Sequence, residues 1–259
     1  MLGEIRDIET AFTVPVCLHR NAIDVTKIEA NITDKTRDII FMRTIIILNP
    51  KGGCGKSTIA TNIASYFAMK AKKVTLADCD SQGSSHDWLL ARPDTCSAIN
   101  GIVVENDRLK IPRNTDVLII DTPAAIGDKR LGKYLRKAQS LVMPIIASPI
   151  DIRAAERFLS ELFSFKGTIN NKIKIATVAN RVREDTLIAA KLEHYLDNVK
   201  LPNGKRLPFM TMLRSSQNYI RAAERGLSIF ELAPSKTYYD REQWEPLLRW
   251  LNSKRSIPN

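Results

Sequence analysis

The stretch 49-NPKGGCGKSTIATNIA-64 decides how the rest of the chain is read. Before it stands 44-TIIIL-48, a short β-branched apolar run that reads as a strand. After it, 58-TIATNIASYFAMKAKK-73 carries apolar residues at helical spacing. Strand, glycine-rich turn and helix in that order make a phosphate-binding loop. The strict pattern GxxxxGK[ST] would need glycine where the chain has Pro50, and what stands is 51-KGGCGKST-58. The physical logic survives. Gly52, Gly53 and Gly55 let the backbone turn sharply and approach an anion. Loop N–H groups and the start of the helix offer partial positive charge. Lys56 reaches the β and γ phosphates of a nucleotide, and the Ser57 hydroxyl is a ligand for Mg²⁺. The candidate nucleotide set is therefore Gly52, Gly53, Cys54, Gly55, Lys56, Ser57 and Thr58. One lysine is enough to hold a phosphate, so Lys51 needs a separate explanation.

Working outward, continuous apolar runs recur at 74-VTLA-77, 117-VLII-120, 141-LVMPII-146 and 173-IKIATVA-179. Runs without polar alternation belong to strands covered on both faces, as in a parallel sheet. Helical stretches at 128–138, 151–166 and 184–198 separate them, and a last helix is expected over 238–254. The βαβα order predicts an α/β fold, doubly wound, with a mostly parallel sheet and helices on both faces. Residues 1–41 precede the first core strand. They read as an N-terminal extension, poorly ordered or the product of a start codon set too early, with the compact domain at 42–259. A partner-binding helix at 24–39 is the competing reading.

Two carboxylate sites stand at strand ends, where ligands sit in open α/β sheets. One is 78-DCDSQGSSHDW-88, with Asp78 and Asp80; the other is 117-VLIIDTPAA-125. An apolar strand ending in Asp121 is a metal-site arrangement, since a buried acid is expensive unless it is paired or beside a cation.

Lys and Arg number 39 against 28 Asp and Glu, a net charge of +11, which suggests a polyanionic partner such as nucleic acid or an acidic membrane. A hydrophobic content of 44% excludes a disordered chain. Cys17, Cys54, Cys79 and Cys96 form neither CxxC nor Cys/His metal spacing, and read as reduced thiols of a cytoplasmic protein. Exposure of a thiolate would be needed for Cys54 to act as a redox sensor, and that role is not expected.

The loop 51-KGGCGKST-58 resembles the deviant Walker A motif, xKGGxxK[ST], of the ParA/MinD family, and the resemblance covers roughly 42–252. In that family the early lysine crosses a dimer interface to the partner's phosphates, which gives Lys51 a role in an ATP-dependent homodimer. By the same resemblance Asp80 orients the attacking water, Asp78 lies near Mg²⁺, and Thr122-Pro123 follow the metal carboxylate. The family's DxDPQG-like switch has proline where this chain has Ser81. Asn180, with Arg181 beside it, matches the position that reads adenine. Segment 205–232 resembles the run before the family's terminal helices, and Lys205, Arg206, Arg214, Arg221 and Arg225 would supply sequence-blind DNA contacts.

Related proteins are less well matched. Nitrogenase iron proteins need cluster cysteines that Cys17 and Cys96 do not provide, tyrosine kinases of this class need more than Tyr238-Tyr239, and no small-substrate site of the dethiobiotin synthetase kind is evident. Trp244, Leu247, Leu248, Trp250 and Leu251 beside basic residues could form a MinD-like membrane helix. Packing onto the sheet is the preferred reading of that spacing, and no membrane partner is expected. The resemblance thus implies a small ParA-type ATPase, using ATP and Mg²⁺, that binds DNA without sequence preference and positions a cargo through a ParB-like adaptor at the nucleoid. A nucleotide-gated scaffold with little turnover is the other reading.

Overall fold

The computed structural model describes residues 42–104, 109–124, 126–164 and 173–258. The expectations for residues 1–41, Cys17 included, lie outside them.

β1 (Arg43–Ile47) leads into α1 (Lys56–Met69), then come β2 (Val74–Asp78), α2 (Ser84–Leu90), β3 (Ile99–Val103) and β4 (Val117–Asp121). The second half runs α3 (Asp128–Leu135), β5 (Ser140–Ile146), α4 (Pro149–Ser164), β6 (Lys174–Val182), α5 (Leu187–Asn198), β7 (Phe209–Arg214), α6 (Gln217–Ala223) and α7 (Pro234–Leu251). The seven strands form one sheet in the order β3-β2-β4-β1-β5-β6-β7, parallel at every pairing. This is the expected doubly wound fold.

Alternate residues of β1 serve opposite layers. Ile45 and Ile47 pack with Ile59, Ile63 and Phe67 of α1 and with Trp244, Leu247 and Leu251 of α7. Ile46 and Leu48 pack with Leu131 and Leu135 of α3, Phe158 and Leu162 of α4, and Leu192 of α5. Register then fixes the site. Ile47 pairs with Asp121, and Asp121 with Asp78, so the phosphate loop and both carboxylates leave the same edge of the sheet side by side.

Several boundaries differ from the sequence reading. α1 starts at Lys56 rather than 58 because Gly55, at φ 87°, makes the turn that opens it. It stops at Met69, where the Lys70 and Lys72 amides fold back on the Phe67 carbonyl and Ala71 takes φ 57°. α5 waits for Thr186, whose hydroxyl caps the Ala189 amide. β3 and β7, the two edge strands, were not anticipated. β6 continues through Asn180 and Arg181 with a register shift against β7, and Arg181 sits at φ 52°.

The last helix settles the reading of its apolar residues. Trp244 and Leu247 are fully buried, and Leu248, Trp250 and Leu251 nearly so. The Trp244 indole N–H donates to the Tyr219 hydroxyl at 2.9 Å. These side chains pack the sheet and leave none to enter a bilayer. Among the described residues no helix is long and apolar enough to cross a membrane. Trp244→Ala should cost about 3–5 kcal/mol in urea unfolding, whereas a membrane-contact role would leave stability in solution unchanged.

Candidate functional site

The phosphate loop is pinned before anything binds. Asn49, buried, accepts the Lys51 amide at 2.8 Å and donates its own amide to the Pro144 carbonyl at 2.6 Å, tying the loop to β5. From β6, Asn180 donates to the Cys54 carbonyl at 2.8 Å. A Cβ on Gly55 would lie 2.2 Å from that Asn180 nitrogen, and φ 87° is unfavourable for any side chain, so glycine is required twice over. Arg181 donates to the Gly53 carbonyl at 3.4 Å.

The two lysines are treated differently. Lys56 is 7% exposed and its ammonium donates to the Lys51 carbonyl at 3.1 Å. A buried ammonium resting on a neutral carbonyl is a strong receptor for an anion. α1 opens without a side-chain cap and without an acid in its first turn, so its positive end faces the same place. Lys51, by contrast, is exposed.

Asp121 has the character of a cation ligand. It is 1% exposed, its Oδ2 accepts the Ser85 hydroxyl, and its Oδ1 has no hydrogen-bond partner among the described residues. Burial pushes its carboxyl up to about 6, held back by the hydroxyls of Ser85 and Ser57, with Asp78 raising it further and Lys56 lowering it. An orphaned carboxylate oxygen beside the loop serine is a donor set that fits Mg²⁺. Ser57 and Asp121 would hold it.

Asp78, expected near Mg²⁺, also has a structural task. Its two oxygens accept the Asp80 amide at 3.0 Å and the His86 amide at 2.9 Å. It therefore shapes the loop that carries Asp80. Asp80 is half-buried in a turn closed by the Gly83 amide on its own carbonyl, with Gly83 at φ 67°.

Beside the loop lies a cavity of about 310 Å³ whose walls include Gly55, Thr58, Asn180, Arg214, Ser216 and Tyr219. Asn180 faces it, but its amide nitrogen is already given to Cys54. Reading an adenine edge would fall to its oxygen or to neighbours that the sequence did not single out. The Arg214 Nε donates to the fully buried Asp240 at 2.7 Å, and its guanidinium lies 5.8 Å from the Tyr239 ring. It is a wall of the cavity tied to α7, with its side chain still 30% exposed. Lys205, Arg206, Arg221 and Arg225 are exposed. Cys54 is buried, and burial raises its thiol; Cys79 rises to about 12 for the same reason. Neither offers a reactive thiolate.

Asn49 and Ser85 were missed as site residues. Asn49 abuts the loop and could have been noticed. Ser85 reaches Asp121 only through the fold.

The CobQ/CobB/MinD/ParA nucleotide binding domain matches residues 45–229. The maintenance of carboxysome distribution protein A of Halothiobacillus neapolitanus is 26% identical over 196 residues, covering 73% of this chain and 87% of its own length. The chromosome-partitioning ATPase Soj of Thermus thermophilus is 23% identical over 228 residues, covering 75% and 90%. Among solved structures, the Cyanothece McdA(D38A)-ATP complex superposes with a TM-score of 0.60 at 18% identity, over 80% of this chain and 96% of that one. The MinC:MinD complex of Aquifex aeolicus gives 0.62 at 18%, over 84% and 98%. At such identities the structures speak to the fold, and the match over residues 45–229 speaks to descent: the chain belongs to the CobQ/CobB/MinD/ParA nucleotide-binding family.

Proposed function

We propose that this protein is a ParA-type ATPase in which ATP closes a sandwich homodimer, the dimer holds DNA without sequence preference, and hydrolysis releases it to position a cargo. The observation that carries this reading is the division between the lysines: Lys56 is buried and bound within its own loop, while Lys51 is exposed at the loop's surface. A single lysine would serve binding. An exposed second one beside the phosphates is suited to a neighbouring subunit.

The chemistry asks for positioning and charge neutralisation more than for a strong base. Lys56 and the amides of residues 52–57 would receive the triphosphate. Ser57 and Asp121 would hold Mg²⁺, which when bound spreads the charge of the phosphates. Asp80, on the loop that Asp78 shapes, would orient the attacking water. ADP lacks the γ-phosphate that Lys51 would reach in the partner, so hydrolysis would loosen the dimer. Turnover would be slow alone and stimulated by an adaptor of the ParB kind. The relatives named for carboxysome distribution and for chromosome partitioning support a positioning role over metabolic chemistry.

Lys51→Ala should bind ATP with near wild-type affinity and stay monomeric in light scattering; a variant that still dimerises with ATP would defeat the assignment. Asp80→Ala should retain ATP and the dimer while losing about a hundredfold or more in phosphate release, the scale of a lost acid–base or water-positioning group. Wild-type protein should bind arbitrary duplex DNA with Mg-ATP and not with Mg-ADP, weakening steeply between two salt concentrations. Equal or absent binding in the two nucleotides would remove DNA from the cycle.

A further inference from the structure

The densest positive charge in the described domain lies on α3 and the turn that ends it. Lys129, Arg130, Lys133, Arg136 and Lys137 are all exposed, and after Asp128, which opens the helix, the stretch 129–138 contains no acid. At about 100° per residue these five fall within roughly a third of the helix circumference. Leu131, Tyr134, Leu135 and Ala138 occupy the opposite side and are buried in the core. Between the cationic stems and Leu109 lies a cavity of about 140 Å³ that Tyr134 also lines.

We propose that this face of α3 is a docking surface for the phosphate backbone of duplex nucleic acid. The inference rests on the DNA-binding reading above and moves its centre away from the segment 205–225. There the cations are more widely spaced, and Glu224 is exposed between Arg221 and Arg225. The stripe from Lys129 to Lys137 is about 12 Å long. Duplex DNA carries about seven phosphate charges over that length. A membrane surface fits less well, because interfacial helices add apolar side chains to their cations and those of α3 are spent on the core. A protein partner fits less well too, since residues 129–138 expose no aromatic or aliphatic anchor.

The face is also well placed to feel the nucleotide. α3 follows Asp121 by a short loop, and Tyr134 packs beside Cys79, the residue between Asp78 and Asp80. A change at either carboxylate loop reaches α3 through covalent connection and direct packing.

The test compares Lys129→Gln/Arg136→Gln/Lys137→Gln with a charge-matched control, Lys72→Gln/Lys191→Gln/Lys236→Gln, whose lysines are exposed elsewhere. Fluorescence anisotropy on an arbitrary duplex with Mg-ATP, over a series of salt concentrations, reads affinity and salt slope. The α3 variant should lose about tenfold or more in affinity, and its log–log salt slope should fall by about 2 to 3, close to one per phosphate contact removed. The control should fall much less. Unchanged thermal unfolding and binding of a fluorescent ATP analogue establish that the variant is folded, and Arg136→Glu alone provides a milder second variant. If wild type binds and the α3 variant matches the control in affinity and slope, the α3 surface is refuted while the DNA reading stands. If wild type binds no duplex with Mg-ATP, both fall. Loss of binding to polyglutamate or to phosphatidylserine vesicles, with DNA binding intact, also refutes the surface and assigns it to an acidic protein or a membrane.

Discussion

The hydrogen bond from Asn180 to the carbonyl of Cys54 holds the site together. It joins the end of β6 to the crown of a loop that begins at β1, two strands away across the sheet. The bond explains why position 55 has no room for a side chain, and with Asn49 it sets the loop's shape from two sides. With the loop fixed, the amides that face a phosphate need not be ordered at the moment of binding, and the entropy of that ordering is taken up in folding. Only then can the Lys56 ammonium lie buried against a backbone carbonyl rather than out in solvent.

That arrangement carries a deliberate imbalance. Lys56 and Asp121 are both nearly inaccessible, yet neither is satisfied by a charge placed against it at bonding distance in the described residues. An orphaned buried acceptor such as Asp121 Oδ1 costs on the order of 1–3 kcal/mol. The rest of the chain offsets this with two fully formed cores on either side of the sheet. Where a buried charge has only a structural role, the fold treats it differently: Asp240 receives Arg214, Asn218 and Ser216, and Glu231 receives both terminal nitrogens of Arg92. The contrast between satisfied and unsatisfied buried charge separates scaffold from site.

Legibility in the sequence followed burial. The strands β1, β2, β4 and β5 have every residue or nearly every residue buried, and each appeared as an unbroken apolar run. β3 reads INGIV with most positions open to solvent, and β7 reads FMTMLR with mostly partial burial. At a sheet edge neither the unbroken nor the alternating pattern is imposed, so nothing in those residues announced a strand. The phosphate loop and Asp121 were legible because their spacing is local. The tasks of Asn180, Asp78 and Arg214 were not, because each depends on a partner chosen by the fold: Cys54, the amides of Asp80 and His86, and Asp240. The pairing of Arg214 with Asp240 was hidden for that reason. A basic residue shows its charge in the sequence, and the acid that claims it lies 26 residues away on another element.

The same pairing gives α7 a place beside the phosphate loop that its sequence suggested only as packing. Asp240 holds Arg214 at the end of β7 and Asn218 at the start of α6, and Gln243, one turn later, accepts the Arg214 amide while its own carbonyl receives Thr211. Arg214, Ser216 and Tyr219 are walls of the cavity beside the phosphate loop, so the far wall of that cavity is anchored to the last long helix. Trp244 completes the attachment by binding the Tyr219 hydroxyl while its ring fills the core. Displacing this helix from the sheet would open the cavity beside the phosphate loop. Its tryptophans and leucines are therefore explained by the site they support.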